Sequence, residues 1–174
     1  MRKRAQEQLG HPAGPEDDLH ADLTRSYKHT GPRQSPAFVA PSMARQVALI
    51  EAGKAEPVIR VGNLDAQRDI TDVRDVVGAY LALMERGLPG TPYNVASGVG
   101  RTMRSVLEAL VSRARVQVHI ETDPALLRPN DVPVLVGDAC RLRHATGWQA
   151  SIAFVHMIED LLGYWRRAVG RRPS

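Results

Sequence analysis

VIRVGNLDAQRDITDVRDV, residues 58–76, decides how this chain of 174 residues is read. It opens on a short β-branched run, Val58–Val61, which predicts a strand. Gly62-Asn63 then reads as a turn. Asp72 is a good helix N-cap, with Asp75 three residues on. From there Val73, Val76, Val77, Tyr80, Leu81 and Met84 recur at i, i+3, i+4, i+7 and i+8, the stripe of an amphipathic helix, and Gly87 stops it. A strand, a turn and a helix in succession predict an α/β class.

The sequence on either side agrees. A helix is predicted over residues 37–52, with Val39, Met43, Val47 and Ile50 on one face and Gly53 to close it. Another starts after Thr102 with Met103, Val106, Leu107, Leu110 and Val111 as its stripe. The last begins after Ser151 and turns Val155, Ile158, Leu162 and Trp165 inward. A short helix is expected from Asp138 to Gly147. Brief strands are expected at 93–95 and at 116–120, where Val116, Val118 and Ile120 share a face. The expected architecture is therefore small mixed sheets with four to five helices. Residues 1–24 are polar, with Gly10, Pro12, Gly14 and Pro15 crowded together, and are expected to form a disordered tail. Residues 25–174 are expected to form one folded domain.

Composition narrows the class. The chain is 43% hydrophobic and 24% charged, values of a globular protein. Aromatics are only 5%, so aliphatic side chains must build the core. The single cysteine, Cys140, excludes an intrachain disulfide and agrees with a reducing compartment. The longest apolar run, VVGAYLALM at 76–84, is far short of the about 20 residues that span a bilayer. A cytoplasmic location without membrane contact is expected. The net charge of +4 sits largely at the chain ends, in MRKR (1–4) and RRAVGRR (166–172), which are expected to be solvated. No aromatics interleave the N-terminal charges, so nucleic acid is not an expected partner.

Five segments in order carry a resemblance. They are HTGPRQSP (29–36), VGNLDAQRD (61–69), TPYNVASG (91–98), LLRPNDVPVLVGD (126–138) and ATGW (145–148). Across residues 29–165 the chain resembles the C-terminal, substrate-binding part of an extended short-chain dehydrogenase. This is the NAD-dependent epimerase/dehydratase family, and within it the group of GDP-mannose 4,6-dehydratase and GDP-4-keto-6-deoxy-mannose reductase. RDITDVRDVV (68–77) followed by YNVASG looks more like the reductase branch. The resemblance implies that most of a Rossmann sheet is missing. Ahead of residue 25 no likeness is recognisable, as expected of a truncated or frameshifted gene product, or of a domain split from its partner.

The resemblance also implies a site. A nucleoside-diphosphate sugar presents two linked phosphates, and guanidinium offers them forked, permanently charged donors. Arg68 and Arg128 would reach the diphosphate. Arg68 lies just ahead of the helix at Asp72, whose N-terminal N–H groups add positive potential. The plainer reading pairs Arg68 with Asp65 or Asp69 on the surface and leaves Arg128 as a loop charge. Asn63 would approach the nucleotide, with Leu64 against the base or ribose; Asn63 also suits an ordinary turn. Phe38 would line the sugar pocket, or else face the core at a helix start. Asp131 would meet the ribose hydroxyls, or be a plain loop carboxylate. His29 and Arg33 would lie toward the nicotinamide. Where the family reads Arg-Pro-Phe-Asn, this chain has Arg25-Ser26-Tyr27-Lys28, and Lys28 cannot accept a hydrogen bond as an asparagine does.

The chemistry of hydride transfer lacks its usual signatures. The chain contains no G-x-G-x-x-G or G-x-x-G-x-x-G. Four residues beyond Tyr27, Tyr80, Tyr93 and Tyr164 stand Gly31, Met84, Ser97 and Ala168, never lysine. No catalytic residue is assigned, and NAD(P), the cofactor of the intact family, is not expected to bind this chain alone. The six histidines show no paired metal-ligand spacing, so no metal is expected. Cys140, two residues after Asp138, is either a stabilised thiolate or a buried structural thiol. The expected partner is a GDP-sugar, with an N-terminal Rossmann chain or a second copy as further candidates. The alternatives to an enzyme fragment are a non-enzymatic interaction module or a split-enzyme subunit.

Overall fold

The computed structural model describes residues 23–127 and 131–170. The element order is β1 Leu23–Ser26, β2 Lys28–Thr30, α1 Val39–Glu51, β3 Val58–Val61, β4 Gln67–Asp72 and α2 Val73–Arg86. It continues β5 Pro92–Val95, β6 Gly100–Thr102, α3 Met103–Val111, β7 His119–Thr122, a 3-10 turn Pro124–Leu126, β8 Val134–Leu135, α4 Cys140–Thr146 and α5 Phe154–Gly170. Among the described residues, five α-helices and small sheets make the mixed α/β class expected. Leu23 and Thr24, expected in the tail, belong to β1; residues 1–22 lie outside the described residues.

β4 pairs with three other strands. Its second half pairs parallel with β2, Lys28 opposite Ile70 and Thr30 opposite Asp72. Its first half runs antiparallel to β6 and parallel to β8, so Gln67 faces Thr102 on one side and Val134 on the other. β1 pairs with β5, and β3 with β7, both parallel.

Two apolar clusters flank this strand. The larger joins α1, β3, α3 and α5 through Met43, Val47, Ile59, Leu107, Ile158 and Leu162. The smaller packs Val76, Ala79 and Leu83 of α2 on Tyr93, Val95 and Leu142. Full burial of a Val, Leu, Ile or Met side chain contributes about 1.5–3 kcal/mol.

Local signals placed the helix ends well. The Asp72 carboxylate accepts from Arg74 N at 2.9 Å, and Thr102 Oγ1 accepts from Ser105 N at 3.1 Å. Gly147 ends α4 at φ 74°, its N–H returning to Arg143 O at 2.8 Å. Faces were placed less well. Val39 and Val155 are exposed, because α1 and α5 turn Ala40, Ala44, Met157 and Leu161 inward instead. On α2 only Val76 of the expected stripe is fully buried; Val77, Tyr80, Leu81 and Met84 point outward. The strand expected at 116–120 begins at His119, where β3 first offers a partner at Val58, and both Val116 and Ile120 are exposed.

Candidate functional site

Arg68 leaves the first half of β4 and turns along the 131–133 segment. One terminal nitrogen donates to Gln67 O and to Val132 O, both at 2.7 Å. The other donates to the Asp131 carboxylate. The Arg68 side chain is 12% exposed and that of Asp131 24%. Asn63 reaches the same carboxylate, its Nδ2 donating to Asp131 Oδ2 at 3.3 Å, while its Oδ1 accepts from Asp65 N at 3.0 Å. Three of the residues expected to bind substrate, Asn63, Arg68 and Asp131, thus meet in space from two separate stretches of chain, 63–68 and 131. The partner chosen for Arg68 is neither Asp65 nor Asp69. Asp65 instead pairs with Arg104 at 3.0 Å.

The loop carrying Asn63 is fixed by its backbone. Leu64 O accepts from Arg104 N at 2.8 Å and Ala66 O from Met103 N at 3.1 Å, which ties the loop to the start of α3. Gly62 has to be glycine, since a Cβ there would sit 2.6 Å from Leu126 O. Leu64 itself is buried in the larger core cluster, so its side chain serves packing.

Asp69, 0% exposed, organises the other side of β4. Its Oδ1 accepts from Ser97 N (2.9 Å), Ser97 Oγ (2.6 Å) and Thr71 Oγ1 (3.4 Å). Its Oδ2 accepts from Gly98 N (2.8 Å) and Gly137 N (3.3 Å). Five neutral donors replace the water that a buried carboxylate loses. This carboxylate binds the 97–98 turn and the 131–138 segment to the strand that carries Arg68. The sequence reading treated Asp69 only as a surface partner; its place beside Arg68 on a strand, and so on the opposite face, is the signal that could have found it.

A family model described as GDP-mannose 4,6 dehydratase matches residues 2–161. The chain belongs to the GDP-mannose 4,6 dehydratase family. That match starts well ahead of residue 25, so the likeness is not lost there as the motifs alone suggested. A GDP-6-deoxy-D-mannose reductase of Pseudomonas aeruginosa is 36% identical over 84% of this chain and 48% of its own length. A GDP-mannose 4,6-dehydratase of Sinorhizobium fredii is 28% identical, again with 48% of its length covered. The chain spans about half the length of these curated relatives. The structure of RMD from Pseudomonas aeruginosa complexed with NADPH superposes with a TM-score of 0.88 at 33% identity, over 95% of this chain and 55% of that one. A Thermus thermophilus UDP-glucose 4-epimerase complexed with NAD gives 0.69 at 28% identity, over 83% and 46%.

Of the other expected site residues of this dehydratase-family chain, His29 lies in β2, and Arg33 and Phe38 lie between β2 and α1. His29 ends in a buried Nδ1 without a hydrogen-bond partner among the described residues. Its carbonyl accepts from Gln34 Nε2 at 3.0 Å. Arg33 is exposed with φ 72°. Phe38 is half exposed and precedes α1, so it does not face the core. Arg128 lies outside the described residues. Among the described residues Gly98 lies between β5 and β6, Gly100 begins β6, and the capped α3 follows only after that strand.

Cys140 departs from both expectations. It is exposed at the start of α4, and the Asp138 carboxylate beside it raises its thiol pKa, opposing a thiolate. Among the described residues no metal-ligand cluster occurs, and no helix is long and apolar enough to cross a membrane.

Proposed function

We propose that this chain is the GDP-sugar-binding portion of an NAD(P)-dependent GDP-4-keto-6-deoxy-mannose reductase or GDP-mannose 4,6-dehydratase, and that by itself it does not catalyse. The observation that carries this is the convergence of Asn63, Arg68 and Asp131 at the first half of β4. Arg68 supplies the permanent positive charge for the diphosphate, and the two carbonyls on its other nitrogen hold the guanidinium plane in place. Asn63 and Asp131 supply an amide and a carboxylate beside it for the nucleoside. The reductase branch is favoured by the higher identity, 36% against 28%. The absence of Tyr-x-x-x-Lys leaves no assigned proton donor. Isothermal titration with GDP and GDP-mannose tests the reading. Binding that Arg68→Ala weakens supports it, and no heat at millimolar ligand sinks it.

A second reading concerns the partner. Val77, Leu81 and Met84 of α2, with Leu88 beyond it, form an exposed apolar face, Met84 being 76% exposed. The relatives are about twice as long as this chain. The occupant proposed for this face is the N-terminal Rossmann half of such an enzyme. Size-exclusion chromatography with a recombinant N-terminal half of the Pseudomonas aeruginosa reductase would show a joint peak, and separate elution would refute it.

A further inference from the structure

Arg68 and Asp131 are held very differently. One terminal nitrogen of Arg68 is pinned between two backbone carbonyls at 2.7 Å, one of them on its own strand. That anchorage fixes the guanidinium whatever occupies its other edge. Asp131 belongs to no helix or strand, and besides Arg68 it accepts from Asn63 Nδ2 at 3.3 Å, the long end of the hydrogen-bond range. Its carboxylate covers the edge of a side chain that is only 12% exposed. A diphosphate cannot engage that edge while the carboxylate sits on it, since two anions would compete for one fork at contact distance.

We propose that Asp131 is a displaceable lock on Arg68: in the ligand-free chain its carboxylate occupies the guanidinium edge that a diphosphate takes, and the ligand binds by exchanging with it. This rests on the reading of Arg68 as the diphosphate contact. The exchange replaces one ion pair by another, so a partly buried cation is never left bare. It also makes Asp131 a filter. A singly charged oxyanion gains little by replacing a carboxylate, whereas a diphosphate brings more charge and several oxygens to the same fork. Asp131 is a positioning residue for Arg68 in this role.

The test uses inorganic pyrophosphate, which has no ribose for Asp131 to contact. Asp131→Asn keeps the shape and an acceptor for Asn63 but removes the competing charge. The lock predicts pyrophosphate binding about tenfold tighter than in the unmodified chain, equivalent to about 1.4 kcal/mol. Asp131→Ser should move affinity in the same direction, which covers a folding failure of either variant. Weaker or unchanged pyrophosphate binding in both, with Arg68→Ala still abolishing it, overturns the lock and leaves the Arg68 reading standing. Pyrophosphate binding that Arg68→Ala leaves intact, or none in any of these proteins, overturns the Arg68 reading and the lock with it.

Discussion

Arg166, near the end of α5, donates two hydrogen bonds of 2.7 Å to the Glu51 carboxylate that closes α1. A third contact runs to Arg113 O at 2.7 Å, so the guanidinium joins the ends of α1, α3 and α5 around the larger core. Arg166 was expected among solvated terminal charges; it is instead one half of a fork-to-fork pair. The hydrogen bond from Arg166 holds the Glu51 carboxyl below its ordinary pKa, against the opposing effect of burial. A carboxylate with a lowered folded-state pKa adds stability above its unfolded-state pKa of about 4.3, and that stability is lost as pH falls through the lower folded value. Glu51→Gln should therefore cost about 2 kcal/mol at pH 7 in urea unfolding and progressively less below about pH 4. A cost that stays constant down to pH 2 would show that the charge is not what stabilises the pair.

Asp69 is predicted to matter more. In Asp69→Asn one oxygen becomes an NH2 group facing either the Ser97 donors or those of Gly98 and Gly137. Two donors then confront each other in a site without solvent, at a cost of about 3 kcal/mol. Thermal unfolding measures it. The same variant should weaken GDP binding, because the 131–138 segment loses its anchor; retention of both stability and binding would contradict this role.

The thiol of Cys140 should react slowly. The Asp138 carboxylate raises its pKa, foremost through a side-chain hydrogen bond. Asp138→Asn keeps an oxygen for the Cys140 N–H that Asp138 now caps at 2.8 Å, but removes the charge. Reaction with Ellman's reagent at pH 7.5 should be several-fold faster in Asp138→Asn, with the two rates converging as pH rises through the thiol pKa. Equal rates at pH 7.5 would deny the carboxylate its influence.

The outward face of α2 should matter little for stability. Leu81 and Met84 are exposed, so the double change to glutamate should alter the unfolding free energy by less than about 1 kcal/mol. It should reduce self-association in light scattering and abolish any complex with an N-terminal Rossmann half. A large loss of stability would mean that this face packs within the chain.

What the sequence disclosed and what it withheld divide along a physical line. Asp72, Thr102 and Gly147 were legible because a cap is made with neighbours a few residues away. The α2 stripe was legible as a stripe, but periodicity names no partner, and four of its six residues turned out to be exposed. The strand at 116–120 slipped because its start is set by β3, not by its own alternation. Arg68 was singled out by its motif, whereas its pairing with a carboxylate 63 residues away is a tertiary fact. Asp69 was missed because its donors come 28 and 68 residues further along the chain.

That last separation bears on the order of folding. The donors at Ser97, Gly98 and Gly137 reach Asp69 only after β4, the 97–98 turn and the 131–138 segment have come together. Until then the carboxylate keeps its water, and burying it early would be unfavourable. We predict that its contacts form after the rate-limiting barrier, so that changes at Asp69 act on the unfolding rate far more than on the folding rate in stopped-flow kinetics. On that prediction the hub at β4 is a latch, which does little to start the fold and sets how long the fold lasts.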